Sequence, residues 1–547
     1  MFKIPRKDKH NFIPPQVHIR TDHVLFRTNP QPLKYPNTLY FNSIFSGTIF
    51  ALFLNMKKYL SILFILLCPL SVYPQQLQPP PIVLSLEKSI DIARQFSPYA
   101  VVARHSFRSQ YWNYCYYKAN YRPSLTFNST PNFNHSINAI TLPDGTSRYV
   151  QQNQLMTDAN LSLNQNIAFT GGTLFLRSGI QRLDILNDNT FFYKTNPVII
   201  GYQQAILGYN NLRWDQKIEP IRFEEAKRSY VETMELVSAN AIIKFFNLAR
   251  AQTNLRIAMF NFAQADTLFT FAQGRYNIGT ITENEMLQLE INRLTEESNM
   301  LNAQIDVDDC MQDFRAYLGI NEAVDIIVEV DEAVPGFTVD MSLALQLAFN
   351  NSPEILGMNR RKLESESSVA RAKAQAGLKA DLYAQFGLTQ TSAELSSAYN
   401  NPRNQQYVEL GIRFPILDWG RGKGQVRVAQ SRRDMVFTQE EQNLSNFEQN
   451  IQKVVKQFNL QAGKVEIAAK TDRATERRND VSRRLYLLGQ STILDLNASI
   501  SEKDAAKRNY INALYNYWSL YYTLRSLTLY DFEKGIALTE DYESLIK

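Results

Sequence analysis

The chain has 547 residues, with 58 Lys+Arg against 53 Asp+Glu and a formal net charge of +5. At 44% apolar and 12% aromatic residues it is too hydrophobic for a disordered chain, and three cysteines cannot make a disulfide scaffold. Residues 1–75 hold nine bases and two acids (+7), which leaves 49 bases and 51 acids (−2) in residues 76–547, so the basic balance is not a nucleic-acid footprint.

In chain order, Met56-Lys57-Lys58 is followed by the apolar run Tyr59–Leu70 and a polar exit at Ser71–Gln76. A short cationic stretch, a dozen apolar residues and a polar end are the parts of a secretory signal peptide, expected over 56–75. The run is too short to span a bilayer, which takes about 20 residues. Leu67 precedes Cys68 where lipid-anchor signals have a small residue, so no lipid anchor is expected. Residues 1–55 read as an upstream extension, with translation beginning at Met56.

The remainder carries two copies of one unit. Ser85–Ala93 leading to Ser97-Pro98 returns as Ser342–Ala348 leading to Ser352-Pro353. Gly201–Leu207 returns as Gly411–Leu417, Lys244–Leu248 as Lys456–Leu460, and Tyr276–Gly279 as Tyr486–Gly489. Four landmarks in one order, more than 200 residues apart, mark a duplicated domain rather than a solenoid. The first repeat is expected over 84–320, a short irregular connector over 321–339, the second repeat over 340–530 and a tail over 531–547.

Within each repeat the periodicity changes type. Residues 85–121 and 340–377 are helical in pattern. Segments near 124–133, 159–169, 173–182 and 198–207, and near 381–390 and 406–416 in the second repeat, alternate as strands do. Long helices follow at 212–273 and 424–484, then 283–318 and 493–529, with Pro220 in a first turn or at a bend. Helices of about 60 residues reach about 90 Å and need a bundle partner. The strands are too few to close a wide barrel alone, and open sheet edges do not survive in lipid, so several chains must share one barrel.

With the duplication, the strand exit Phe414-Pro415-Ile416-Leu417-Asp418-Trp419-Gly420, and the motifs Arg275–Thr280 and Tyr486–Ser491, the chain resembles the TolC family of outer-membrane efflux channels over about 85–530. The resemblance implies a mainly α fold with a transmembrane β-barrel, in which a duplicated strand–long-helix unit assembles as a homotrimer. The trimer has a shared barrel in the outer membrane and a periplasmic α-helical tunnel. It also implies a periplasmic adaptor (membrane fusion protein) and, through it, an inner-membrane RND or ABC pump as partners. The first repeat departs from this plan by an extra alternating pair around Thr170-Gly171-Gly172, which adds either barrel strands or an external loop; barrel strands are the favoured expectation.

The functional candidates lie at the helix turns and the strand exit. Gly279 and Gly489 suit the left-handed termination of a helix. Thr282 with Glu285, and Thr492 with Asp495, have capping-box spacing. By resemblance, Tyr276, Glu285, Tyr486 and Asp495 match gate positions at the periplasmic tip. Ser491 and Ala498 stand where the best-known members carry a base and a second acid. Helix capping is the main expected role of Glu285 and Asp495, and a ring of acids attracting cations is a compatible second one. Pro415, Trp419 and Gly420 form the strand-to-helix junction. Tyr111–Tyr117 is open to two readings, an interfacial aromatic belt or helix-core packing.

No enzyme is expected. Beyond residue 75 the only histidines are His105 and His135, with no metal-ligand spacing, and no nucleophile elbow or phosphate loop occurs. Gly420–Gly424 lacks the Ser or Thr that must follow a Gly-Lys pair. No cofactor, metal or Cys115–Cys310 disulfide is expected. The competing reading is a non-conducting periplasmic coiled-coil adaptor, against which the lipid-facing strands argue.

Overall fold

The computed structural model describes residues 81–546 apart from residues 323, 332 and 489. The expected extension (1–55) and signal (56–75) lie outside the described residues.

β1 (Ile82–Ser85) leads into α1 (Leu86–Phe96) and α2 (Pro98–Ala119). Four strands follow, β2 (Ser124–Thr141), β3 (Ser147–Ile167), β4 (Gly172–Ile185) and β5 (Thr190–Ala205). The first repeat then runs through the long helices α3 (Asn211–Asn277) and α4 (Glu283–Leu318). β6 (Ile326–Glu329) precedes the second repeat, made of α5 (Met341–Asn351), α6 (Pro353–Ala376), β7 (Lys379–Ser392), β8 (Arg403–Arg413), α7 (Arg421–Leu487) and α8 (Ile493–Thr528). The tail adds β9 (Tyr530–Asp531), β10 (Ile536–Ala537) and α9 (Tyr542–Ile546).

The stretches 85–121 and 340–377 are each two helices rather than one. Ser97 and Ser352 cap the second helix of each pair through their hydroxyls, and Pro98 and Pro353 occupy its first position. A proline there has no helical N–H to lose, but it disfavours helical geometry in the residue before it, which breaks the run. Pro220 lies inside α3, beyond the first turn, where it removes one backbone hydrogen bond. The connector is not irregular throughout, because β6 pairs in parallel with β1, Ile82 opposite Ile326 through Ser85 opposite Glu329. Four residues with no alternation long enough to register carry no strand signal in sequence.

α3 and α7 have 67 residues each, about 100 Å at 1.5 Å per residue. Nearest the sheet the helices lie side by side in the order α2–α3–α6–α7, and towards the far end in the order α4–α3–α8–α7. In the far half α3 buries Ala251, Ala258, Ala265 and Ala272, spaced by heptads, so that small side chains let the neighbouring helices approach. Midway along the bundle the core is aromatic: Phe245, Phe246, Phe314, Phe458, Tyr517 and Tyr521 are fully buried. No helix among the described residues is long and apolar enough to cross a membrane.

Candidate functional site: sheet, seam and tip

β2 to β5, β7 and β8 form one antiparallel six-stranded sheet in the order β2-β3-β4-β5-β7-β8. The extra hairpin of the first repeat is therefore part of the sheet, between β2 and β5. Successive side chains point to opposite faces, and the register makes the faces chemically distinct. One transverse row reads Leu125, Leu163, Leu176, Ile200, Phe386, Gln406. The adjacent row on the other face reads Thr126, Ser162, Arg177, Ile199, Gly387, Gln405. The five apolar residues of the first row are all exposed. An apolar band on one face and a polar one on the other is the pattern of a barrel wall between lipid and water.

Pro197 bears on the curvature. β5 carries one extra residue between Thr195 and Ile199 relative to both neighbours, a bulge over Asn196–Val198. Proline cannot donate to a ladder, so a bulge is where a central strand tolerates it. On the polar face near the helices, Phe175 lies over Gly201 and stacks on Tyr383 with ring centres 5.7 Å apart, and Tyr383 meets Tyr407 at 6.0 Å.

The seam between sheet and helices is tied by side-chain caps. The β3–β4 turn places Gly171 at φ +78°, and a Cβ there would lie 2.8 Å from Asn210 Cγ. Asn210 accepts from Arg213 N (3.0 Å) to cap α3 and donates to the carbonyls of Ala168 (2.9 Å) and Phe169 (3.2 Å), so one side chain joins turn and helix. At the second exit Pro415 lies just past β8, while Trp419 and Gly420 take φ +54° and +83°. Asp418 accepts from Gly420 N (2.9 Å) and Gly422 N (2.8 Å) and so caps α7. Sequence reading passed over Asp418, although an acid two residues before a helix-opening glycine is an available signal. It also passed over an apolar rim at this level: Phe169 is 89%, Ile416 93% and Trp419 89% exposed. Such residues suit the lipid headgroup zone. In the Tyr111–Tyr117 stretch, Tyr114 stacks on Phe223 of α3 (4.3 Å), which is helix packing, whereas Trp112 and Tyr116 are exposed.

At the far end both hairpins turn alike. Gly279 has φ +74°, and its N–H donates to Tyr276 O (2.8 Å), while Thr280 N donates to Arg275 O (2.9 Å). Gln490 N donates to Leu485 O (2.9 Å) in the second turn; Gly489 lies outside the described residues. Thr282 and Glu285 make a complete capping box, as do Thr492 and Asp495. The Thr492 hydroxyl (2.7 Å) and amide hold the Asp495 carboxyl below the usual carboxylate range. Among the described residues the hydrogen bonds of both acids go to their own hairpin turns. Tyr276 and Tyr486 occupy the last turns of α3 and α7, in corresponding places. Cys115 and Cys310 are free thiols.

One half-buried carboxylate on α3 stands apart electrostatically. Glu232 is pushed up to about 7, first by burial and then by the nearby Glu354 carboxylate. Because its folded pKa lies above its unfolded one, the ionised form is disfavoured by the fold. Stability should therefore fall as pH rises from about 4.5 through about 7, by on the order of 2 kcal/mol. Glu232→Gln is expected to remove that fall, read as unfolding temperatures at pH 5 and pH 8.

No protein-family model and no curated protein matches the chain. Solved structures do. The CmeC outer membrane channel of Campylobacter jejuni is similar over 84% of this chain and 88% of its own, with TM-score 0.61 and 14% identity. The outer-membrane channel OprN is similar over 81% and 89%, with TM-score 0.59 and 13% identity. The outer membrane protein VceC of Vibrio cholerae is similar over 81% and 95%, with TM-score 0.57 and 14% identity. The likeness runs over most of both chains at low identity, which is a likeness of fold: the protein has the fold of the TolC-type outer-membrane channels.

Proposed function

We propose that the protein is an outer-membrane channel, an exit duct in which three copies share one barrel in the outer membrane and one helical tunnel across the periplasm. The observation that carries this reading is the six-stranded sheet, apolar on one face and polar on the other, standing on helices about 100 Å long. A sheet of this kind with free outer edges requires neighbours, because unpaired backbone groups are not tolerated in lipid.

The helix order supports self-association. α4 and α7 are the outermost helices of the far half, so in a ring each α7 meets the next copy's α4. α4 exposes Leu287, Ile291, Leu294, Leu301 and Ile305 at steps of four, three, seven and four, an apolar seam of coiled-coil spacing interrupted at Ser298. α7 exposes Leu460, Ile467 and Val481 at multiples of seven. α4 carries nine acids and two bases (−7), whereas residues 460–487 of α7 carry seven bases and four acids (+3). Opposite charges flanking two apolar stripes fix register and orientation.

In this reading the tips at Gly279 and Gly489 form the periplasmic entrance, dock an adaptor and receive cargo from an inner-membrane RND or ABC pump. Planar-bilayer recording of the purified oligomer should give discrete conductance steps; their absence would favour a non-conducting coiled-coil adaptor. Asp495→Asn should reduce cation preference if the acid lines the entrance. Unchanged selectivity with lower stability would leave it as a helix cap only.

A further inference from the structure

We infer that the pore in the membrane is a barrel of 18 strands, six from each of three copies, closed by pairing β8 of one copy with β2 of the next. The inference rests on the three-copy reading above and adds the strand count, the seam and its register.

All six strands, the hairpin β2–β3 included, belong to one wall. β2 and β3 carry Leu125, Phe127 and Leu161 on the apolar face, and Asn128, Asn160 and Asn164 on the polar one. A hairpin lying outside a smaller barrel would turn those asparagines to lipid and leave an open ladder there, both of which are costly. The two edges are compatible. β2 runs away from the helices and β8 runs back towards them, so an antiparallel ring continues across the seam, and six strands per copy keep the alternation for any number of copies.

The girth agrees as well. Four helices per copy at about 9 Å spacing span about 36 Å of arc, and six strands about 4.8 Å apart, tilted by about 40°, span about 38 Å. Sheet and bundle therefore meet without a taper. Because diameter grows roughly linearly with strand number, 18 strands enclose about twice the cross-section of 12.

The strand lengths identify the register. Closure at a tilt of about 35–45° requires a stagger of about 6–8 residues per copy. Only an even offset keeps the apolar faces together. Within one copy the transverse row through Leu125 reaches Gln406 on β8. Shifted towards the helices, the next copy's partner for Gln406 would fall in α2. Shifted the other way, it falls at Pro131 or Phe133. β8, with 11 residues, then lies along roughly the first dozen of the 18 in β2, and the far end of the β2–β3 hairpin extends beyond the seam.

Cysteine pairs test the seam in intact membranes, in a background carrying Cys115→Ser and Cys310→Ser. Val408→Cys with Ser129→Cys fits an offset of six, and Leu410→Cys with Ser129→Cys fits an offset of eight. Oxidation should shift most of the chain to a covalent trimer on denaturing, non-reducing gels in one of the two. Ile291→Cys with Val481→Cys, on α4 and α7, reports copy-to-copy assembly independently. Cross-linking of the helix pair without either strand pair would overturn the inference while leaving the three-copy reading intact. Cross-linking of Val408→Cys with Ser178→Cys or Ile180→Cys on β4, at an offset of four or six, would overturn it in favour of 12 strands with β2–β3 outside. Failure of the helix pair and both strand pairs together would sink the three-copy reading itself.

Discussion

Replacing Glu235 by alanine is expected to destabilise the helical stem by about 3–5 kcal/mol, the cost of leaving buried charges without their partner. Glu235 on α3 is 1% exposed. Its carboxylate accepts from Arg94 Nη1 of α1 (2.8 Å) and from Arg525 Nε (2.8 Å) and Nη2 (3.2 Å) of α8. Arg525 also pairs with Asp531 (2.8 Å), which accepts from the Tyr521 hydroxyl (2.5 Å), and Arg94 pairs with Glu540 of the tail (2.5 Å). Glu235 and its two arginines thus tie the first helix, both repeats and the tail together at mid-height. Removal leaves two guanidinium groups largely out of water with half their acceptors, whereas Glu235→Gln keeps an acceptor and should lose less. Thermal unfolding of the detergent-solubilised protein, followed by far-ultraviolet circular dichroism, reads the difference. A loss below 1 kcal/mol for the alanine variant would mean that water replaces the carboxylate.

Gly387→Ala should cost about 2–3 kcal/mol and reduce the assembled fraction, the usual effect of forcing a methyl into a filled space. The bulge at Asn196–Val198 pushes the Val198 carbonyl towards β7, and Gly387 is the residue opposite Ile199. A Cβ at Gly387 would overlap the Val198 carbonyl oxygen and come within 2.9 Å of Ile199 Cα, both backbone atoms that cannot swing aside. The strain falls on the β5–β7 ladder, where the two repeats join. Gly411→Ala on the neighbouring strand is the control, since a Cβ there meets only Asp381 O at 3.8 Å. Equal heat-stability of the two variants on semi-native gels would show that the bulge can relax.

Much of the architecture was legible because it is local. Alternation in Leu161–Asn164 and Leu174–Ile180 reports two faces whatever the strand pairs with, and the helical pattern over 212–273 and 424–484 reports length in the same way. Gly279, with Thr282 and Glu285 after it, reads as a helix end followed by a helix start, and the structure has both. Strand lengths were underestimated because Asn132–Asn138 and Gln151–Asn153 look like loop residues. They are strand because the long hairpin pairs them across Ile137 and Gln151. The bundle midpoint was not legible at all. Glu235 lies 141 residues from Arg94 and 290 from Arg525, and no periodicity links them.

Residue order alone settled the long helices, the alternating strand segments and their duplication, since periodicity follows from neighbours within a few positions. Folding decided the rest. It set the hairpin around Gly171 between β2 and β5 in one sheet, placed an acidic α4 and a basic α7 on opposite flanks, and left β2 and β8 as the two edges. Those are consequences of pairing between distant segments, where register, bulge and helix order are chosen by what must be buried or hydrogen-bonded together.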